Sequence, residues 1–256
     1  MRQSRIKYLL IILAIVTFSK VNAQTCGFGC LGLSGVYGGY SLQQYEADGL
    51  NQYLGMLANP FSSVAYPESE IQFKEGRGFK VGINLIRADY SNFFFTFKGY
   101  YQFLSEQHTI ETYLGPPQNP HPVVYDIKLD MNNWGIGLDF GIPLFSVIDW
   151  KIIESELKIF SPKLTIDASE NTIFQNSGTY TPDKVKMGFS VGSGLIFNIV
   201  EDYISLEATG MYTFMEIDNL TSDLDGTPIP AEGSDTKFIS KGGLQAFIQL
   251  NVGIPF

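Results

Sequence analysis

The stretch Leu244-Gln245-Ala246-Phe247-Ile248-Gln249-Leu250-Asn251-Val252-Gly253-Ile254-Pro255-Phe256 repeats with a period of two. Leu244, Ala246, Ile248, Leu250, Val252, Ile254 and Phe256 make one unbroken apolar face. Gln245, Gln249, Asn251 and Gly253 stand opposite, with Phe247 and Pro255 among them. Successive side chains of an extended chain point to opposite faces, so this alternation predicts a strand with one greasy side.

The same reading extends upstream. Phe79, Val81, Ile83 and Leu85 alternate with Lys80, Gly82 and Asn84. Phe93, Phe95, Phe97, Tyr101 and Phe103 alternate with Thr96, Lys98 and Gln102. Trp134, Ile136, Leu138, Phe140 and Ile142 oppose Asn133, Gly135, Gly137, Asp139 and Gly141. Ile153, Leu157 and Ile159 oppose Glu154, Glu156 and Lys158. Val185, Met187, Phe189, Val191, Leu195 and Phe197 oppose Lys184, Lys186, Ser190 and several glycines. Ile204, Leu206, Ala208, Tyr212 and Phe214 oppose Ser205, Glu207, Thr209 and Thr213, and a weaker strand runs from Leu33 to Leu42. These are eight predicted strands. Short turns are expected near Arg87–Asn92, Pro143–Asp149 and Val200–Asp202. Long polar loops are expected at Gln43–Glu75, Ser105–Val123, Ser161–Pro182 and Asp218–Lys237, with a short helix near Asp48–Leu57.

Composition narrows the class. The 256 residues are 45% apolar and 14% aromatic, enough for a sizeable core and unlike a disordered chain. A net charge of -9 would repel a phosphate polyanion, so no nucleic-acid partner is expected. Residues 1–23 read as a secretory signal peptide. Arg2, Arg5 and Lys7 precede an apolar run, Tyr8 to Phe18, too short to span a bilayer as a helix, and Val21-Asn22-Ala23 is a small-residue cleavage site. Residues 24–256 then form one domain. Cys26 and Cys30 follow the cleavage site on an oxidising route, where a small disulfide loop is one outcome and two free thiols the other.

No apolar run after the signal is long enough for a membrane helix. A secreted sandwich and a membrane barrel both alternate. A sandwich turns its polar face outward to water. Here the minor face is glycine, small polar residues and both signs of charge, which suits a narrow lumen. Trp134, Tyr212 and Phe214 fall towards the loops, and Trp150, Tyr203 and Phe256 towards the turns, as in interfacial girdles. The expected fold is therefore all-β, an eight-stranded antiparallel transmembrane β-barrel. It would be an up-and-down meander with short periplasmic turns and long extracellular loops.

On these features the chain resembles the small bacterial outer-membrane β-barrels of the OmpA, OmpX and OmpW type over the whole region after the signal, and more loosely those of the Bacteroidota. The resemblance implies residence in the cell outer membrane, contact with outer-membrane lipid, and insertion by the barrel-assembly machinery through a final strand ending in Phe256. No peptidoglycan-binding domain is expected after that strand.

Several short motifs point to chemistry and are better explained by the strands. Gly188-Phe189-Ser190-Val191-Gly192 matches a nucleophile elbow, but both histidines, His108 and His121, precede it and no helix follows. Gly27-Phe28-Gly29-Cys30-Leu31-Gly32 matches a dinucleotide fingerprint without the strand and helix that fingerprint needs. Thr221, Asp223, Asp225, Gly226 and Glu232 have the spacing of a calcium loop without flanking helices. A solvated acidic loop is the commoner reading, and no resident cofactor is expected. A divalent cation held by Asp223, Asp225 and Glu232 is the alternative.

The expected lumen carries Lys80, Lys98, Lys184 and Lys186 against Asp139, Glu154, Glu156 and Glu207. Charges at membrane depth pair or are wet, and eight strands enclose an interior that side chains nearly fill, so a salt-bridged plug is expected. The leading expectation is a non-enzymatic barrel with a structural or surface-interaction role, its acidic loops meeting an unknown extracellular ligand. A narrow porin for small solutes or hydrophobic compounds is the second reading. An outer-membrane lipid-modifying enzyme and a soluble adhesin follow.

Overall fold

A computed structural model describes residues 35–58, 71–90, 92–114, 121–169, 177–200, 203–231 and 233–253. The signal segment, Cys26, Cys30, Glu232 and Phe256 lie outside these residues. Strands β1 (Gly35–Glu46), β2 (Glu75–Asp89), β3 (Phe94–Leu114), β4 (His121–Phe145) and β5 (Ile148–Ala168) follow one another, with a helix α1 (Asp48–Ala58) after β1. Then come β6 (Gly178–Thr181), β7 (Lys186–Val200), β8 (Ile204–Met215), β9 (Leu220–Ser222), β10 (Pro228–Ile229) and β11 (Lys241–Val252).

Eight of these strands close on themselves in the order β1-β2-β3-β4-β5-β7-β8-β11, each antiparallel to its neighbours. Following paired residues once around the circuit returns to β1 displaced by about ten residues, which sets a strand tilt of about 40°. The chain is thus an all-β closed antiparallel barrel. The remaining strands β6, β9 and β10 extend the sheet from the upper half of β5. The end of the barrel nearest the three short connections is called the turn end below, and the opposite end the loop end.

Two expected loops prove to be largely strand. Residues 105–123 are mostly a hairpin, with Ser105 paired to Asp130 and Leu114 to His121. Residues 161–168 continue β5, with Tyr125 paired to Ala168. The alternation does not stop at the expected strand ends; its hydrophobic phase inverts. In β4, Trp134, Ile136, Leu138 and Phe140 face outward, and Asn133 and Asp139 are buried inside. Above Asn132 the same strand buries Met131, Leu129, Ile127, Tyr125 and Val123 and exposes Lys128 and Asp126. β5 inverts between Ile159, which is exposed, and Phe160, which is buried. β3 inverts between Phe103, exposed, and Leu104, buried. These switches occupy neighbouring rungs, because Asn133 pairs with both Gln102 and Phe160.

The molecule therefore has two cores. Below the switch the barrel shows an apolar belt and hides polar groups. Above it, Leu50, Leu54 and Leu57 of α1 pack with Phe73, Leu104, Ile110, Tyr125, Ile127, Leu164, Phe238 and Ile239 in an apolar cap. An isolated helix of this length is marginal in water, so packing holds α1 in place. Gly49 lies so close to Lys237 that its amide donates to the Lys237 carbonyl at 2.9 Å, and a Cβ there would collide with the same carbonyl. Glu106 ties the near edge: its carboxylate accepts from the Tyr45 hydroxyl at 2.5 Å and from the Glu75 amide at 2.8 Å, and meets His108 Nε2 at 2.9 Å. Burial, then that carboxylate, pushes the Tyr45 phenol well above its usual range, so it stays a donor.

Aromatics mark both margins of the belt. At the loop end Tyr101 sits 4.5 Å from Phe103 and 4.6 Å from Trp134, and Tyr212 lies 4.8 Å from Phe214. At the turn end Tyr90 stacks on Phe93 at 4.4 Å, and Phe93 lies 5.6 Å from Phe140. From Trp134 to Leu144 is about ten residues, ~33 Å of strand, which a ~40° tilt reduces to ~25 Å of height.

Candidate functional site

Inward-facing positions of β2, β3, β4, β5 and β8 bring Lys80, Lys98, Asp139, Glu154, Glu156 and Glu207 into the lumen, all buried. Two further lysines, Lys151 and Lys158, complete the group. Lys98 bonds Glu154 and lies 3.1 Å from Asp139. Lys151 bonds Glu154 and reaches Glu207 at 2.6 Å and Asp139 at 3.1 Å. Lys80 bonds Glu156, and Lys158 lies 3.4 Å from Glu156 on its other oxygen. Four ammonium groups thus face four carboxylates, and no net charge is left over.

Neutral side chains fill the remaining space. The Tyr100 hydroxyl donates to Glu156 at 2.8 Å, and Lys80 Nζ sits 3.9 Å and 4.0 Å from the ring centres of Tyr100 and Phe247. Inward-facing Gly135 and Gly82 lie under the rings of Tyr100 and Tyr37, where any Cβ would collide with the ring. The glycines of the minor face are therefore what lets two tyrosines lie inside so narrow a barrel. Towards the loop end Gln102 donates to Ser41 at 2.6 Å, and Asn133 donates to Gln102 at 3.0 Å. Above them Leu104, Met131, Phe160 and Met215 belong to the buried apolar core of the cap.

Lys184 and Lys186 correct the expected lumen set. Lys184 is exposed and precedes β7, and Lys186 sits at the loop-end margin, where its Nζ donates to Asp218 at 3.1 Å. The alternation of β7 does not extend that far inside. Lys151 was missed for a different reason. A β-bulge between Lys151 and Glu154 puts Ile152 and Ile153 outward together and leaves Lys151 and Glu154 inward, so strict alternation misplaces Lys151. Two adjacent isoleucines in an alternating strand were the available signal.

Asp139, Glu154 and Glu207 offer carboxylate oxygens within 4.8 Å of one another, the grouping among the described residues that could surround a metal ion. Lys98 and Lys151 already supply the positive charge there, and a cation would have to displace them. Of the calcium-loop residues, Glu232 lies outside the described residues, and Asp223 and Asp225 are each held by a different partner. Asp223 accepts from the Thr181 hydroxyl at 2.8 Å, and Asp225 accepts from the Thr227 amide at 3.1 Å, which closes the turn between β9 and β10. Hydrogen bonds from Ser222 and Thr227 hold the exposed Asp225 carboxyl below its usual range. Ser190 is buried in the lumen, its hydroxyl 2.8 Å from that of Thr213. His108 belongs to the cap.

At the turn end the lumen opens into a vestibule of about 320 Å³. Asn84, Arg87, Asp149, Asn198 and Asn251 line it. Asn198 donates to Asp149 at 3.1 Å, Arg87 approaches Asp149 at 3.6 Å, and Asn251 donates to Glu207 at 3.3 Å, which joins the vestibule to the charge network.

No family model and no curated protein matches the chain. Among solved structures it is similar to Ail, the attachment invasion locus protein of Yersinia pestis, solved in complex with the heparin analogue sucrose octasulfate. Identity is 14% over 86% of this chain and 97% of that one, with a TM-score of 0.40. It is similar to Neisserial surface protein A at 12% identity over 87% and 99%, with a TM-score of 0.38. The outer membrane protease OmpT from Escherichia coli is similar at 9% identity over 88% and 95%, with a TM-score of 0.36. None of these similarities assigns an activity. Closed barrel, apolar belt and charged interior are together the architecture of the small outer-membrane β-barrels.

Proposed function

We propose that the chain is exported by residues 1–23, inserted through its final strand, and spans the outer membrane as a sealed, non-enzymatic barrel that carries a folded cap at the cell surface. The cap is the part that meets partners outside the cell. The observation that supports this reading is the inversion of polarity along β3, β4 and β5. A side-chain belt that is apolar outward over ~25 Å suits hydrocarbon, and the polar outer face beyond it suits water. The neutral charge network and the apolar seal above it leave no continuous wide path. The vestibule favours one second reading, a narrow conduit entered from the turn end.

Single-channel recording from the refolded mature protein in a planar lipid bilayer separates the two. The sealed barrel gives no steps from protein that is demonstrably inserted. Reproducible unitary steps would sink the sealed reading and put the conduit in its place.

A further inference from the structure

The apolar belt is not uniform. A cavity of about 800 Å³ is cut into the outer wall of the barrel, within the size range of ligand sites of about 300–1,000 Å³. The strand registers give its shape. Val81, Tyr101, Trp134, Ile159 and Met187 are partners in sequence from β2 to β7 and form one ridge. One pleat towards the turn end, Val36, Ile83, Gly99, Ile136 and Leu157 are partners from β1 to β5 and form the other. The groove between the ridges follows the hydrogen-bond direction. Five strand spacings make it ~24 Å long, and the strand tilt makes it climb by ~15 Å, about half the thickness of a hydrocarbon core.

Gly99 makes this groove deeper than the ordinary space between two rows of side chains. It faces outward in the middle of the lower ridge, and a Cβ there would meet only Leu85, at 3.9 Å. The upper end of the groove, at Ile159 and Met187, reaches the loop-end margin. Lys163 lies exposed on β5 beyond Ile159. Lys184 lies exposed two residues before β7, whose first residue pairs with Phe160, so both lysines stand at the same end of neighbouring strands. Neither has an ion-pair or hydrogen-bond partner among the described residues. Asp130, opposite Lys163 in register, is bridged by Lys128 at 3.0 Å, and Asp183, next to Lys184 in sequence, accepts from the Thr221 hydroxyl at 3.0 Å.

We propose that this groove is a selective lipid site. It takes an acyl chain of an anionic membrane lipid, laid obliquely along the groove from Gly99 past Trp134 to Ile159 and Met187, with the negative headgroup between Lys163 and Lys184. The proposal rests on the reading of the chain as a membrane-spanning barrel. The charge complementarity selects the occupant: two unpaired cations at the water margin of an apolar groove suit an acidic headgroup and give a zwitterionic one little advantage. Ile159 and Met187 form the wall nearest that headgroup, and Trp134 and Tyr101, whose rings meet at 4.6 Å, form the wall beside the acyl chain.

The two tryptophans of the chain provide the test. Trp134 lines the groove, and Trp150 faces outward at the turn end. Trp150→Phe leaves Trp134 as the reporter, and Trp134→Phe leaves Trp150. Each variant is refolded into phosphatidylcholine vesicles containing a minor fraction of lipid with dibrominated chains, which quench tryptophan on contact. The brominated lipid is either phosphatidylglycerol or phosphatidylcholine. Trp134 is expected to favour the brominated anionic lipid on the order of tenfold in relative association, and Trp150 to show no preference. Lys163→Gln with Lys184→Gln brings the Trp134 ratio to about one, Arg at both positions preserves it, and Gly99→Leu reduces it by filling the floor. Equal quenching of Trp134 by both lipids, or a preference that survives the double glutamine variant, overturns the site and leaves the barrel reading intact. Trp134 shielded from both lipids while Trp150 is quenched marks a face covered by another copy, which also overturns it. Neither tryptophan quenched by either lipid overturns the membrane-spanning reading itself.

Discussion

Barrel and cap are built on the same three strands with opposite rules. In the barrel, β3, β4 and β5 turn Lys98, Asp139 and Glu154 inward and aromatic or aliphatic residues outward. In the cap, the same strands turn Leu104, Ile127 and Leu164 inward and charges outward. Strand geometry is common to both, so the difference is one of surroundings. Where the outside is apolar, burying apolar area gains nothing over leaving it in lipid, polar groups are driven inward, and there they have to be satisfied by their neighbours. Where the outside is water, burial of apolar area holds the fold.

The sharpest way to break this contrast is to unbalance the lumen. Glu154→Leu leaves Lys98 and Lys151 short of a shared counter-charge and is expected to cost about 3–5 kcal/mol. Urea unfolding of the vesicle-inserted protein reads it as a lower midpoint. Adding Lys98→Met restores charge balance and recovers part of the loss. A single variant as stable as the parent would mean that the lumen charges do not hold the barrel. In the cap the comparable lesion is Leu54→Ala, at about 2–5 kcal/mol for a fully buried leucine. Here proteolysis should open the cap while the barrel keeps its heat-dependent shift on a denaturing gel. Joint loss of both would show a single cooperative unit and erase the distinction.

A finer probe moves an arginine along the outward positions of β4. Leu138→Arg, inside the belt, is expected to cost about 2–4 kcal/mol, Trp134→Arg at its margin at most about 1, and Asp126→Arg in the cap almost nothing. A flat profile would remove the inversion as a marker of the membrane boundary. The smallest expected effect is at the cap margin. The hydrogen bond from Lys186 holds the Asp218 carboxyl below its usual range. A depressed acid stabilises the folded state above its unfolded pKa and loses that contribution as pH falls through the folded value. Wild-type and Asp218→Asn caps should thus differ slightly in protease resistance at neutral pH and converge in acid. A difference that grows in acid would contradict the pairing.

Much of this was readable from the alternation: the barrel strands, the short turns between them, and six of the eight lumen charges, with the helix after β1 expected separately within the first long loop. The unread parts share a cause. A periodicity argument follows one hydrophobic face, and it fails where that face changes sides. The upper halves of β3 and β5 fell in expected loops, and residues 124–132 of β4 in no expected strand, because their apolar residues, such as Ile127 and Leu129, lie on the other parity from Trp134 and Ile136. The bulge in β5 hid Lys151 in the same way. Lys184 and Lys186 were drawn into the lumen by carrying an alternation up to and beyond Lys186, the first residue of β7. The lipid-facing groove is a property of register between strands, which no single segment contains.

The even balance of lysine and carboxylate in the lumen has an electrical consequence. A potential across the membrane does work only on net charge that moves through it, about 2.3 kcal/mol per elementary charge for each 100 mV. Four ammonium groups interleaved with four carboxylates on rigid strands form a core with no gating charge to move. The barrel interior is built to be electrically silent: a shift in ionic gradient across it exerts no net force on the lumen charges.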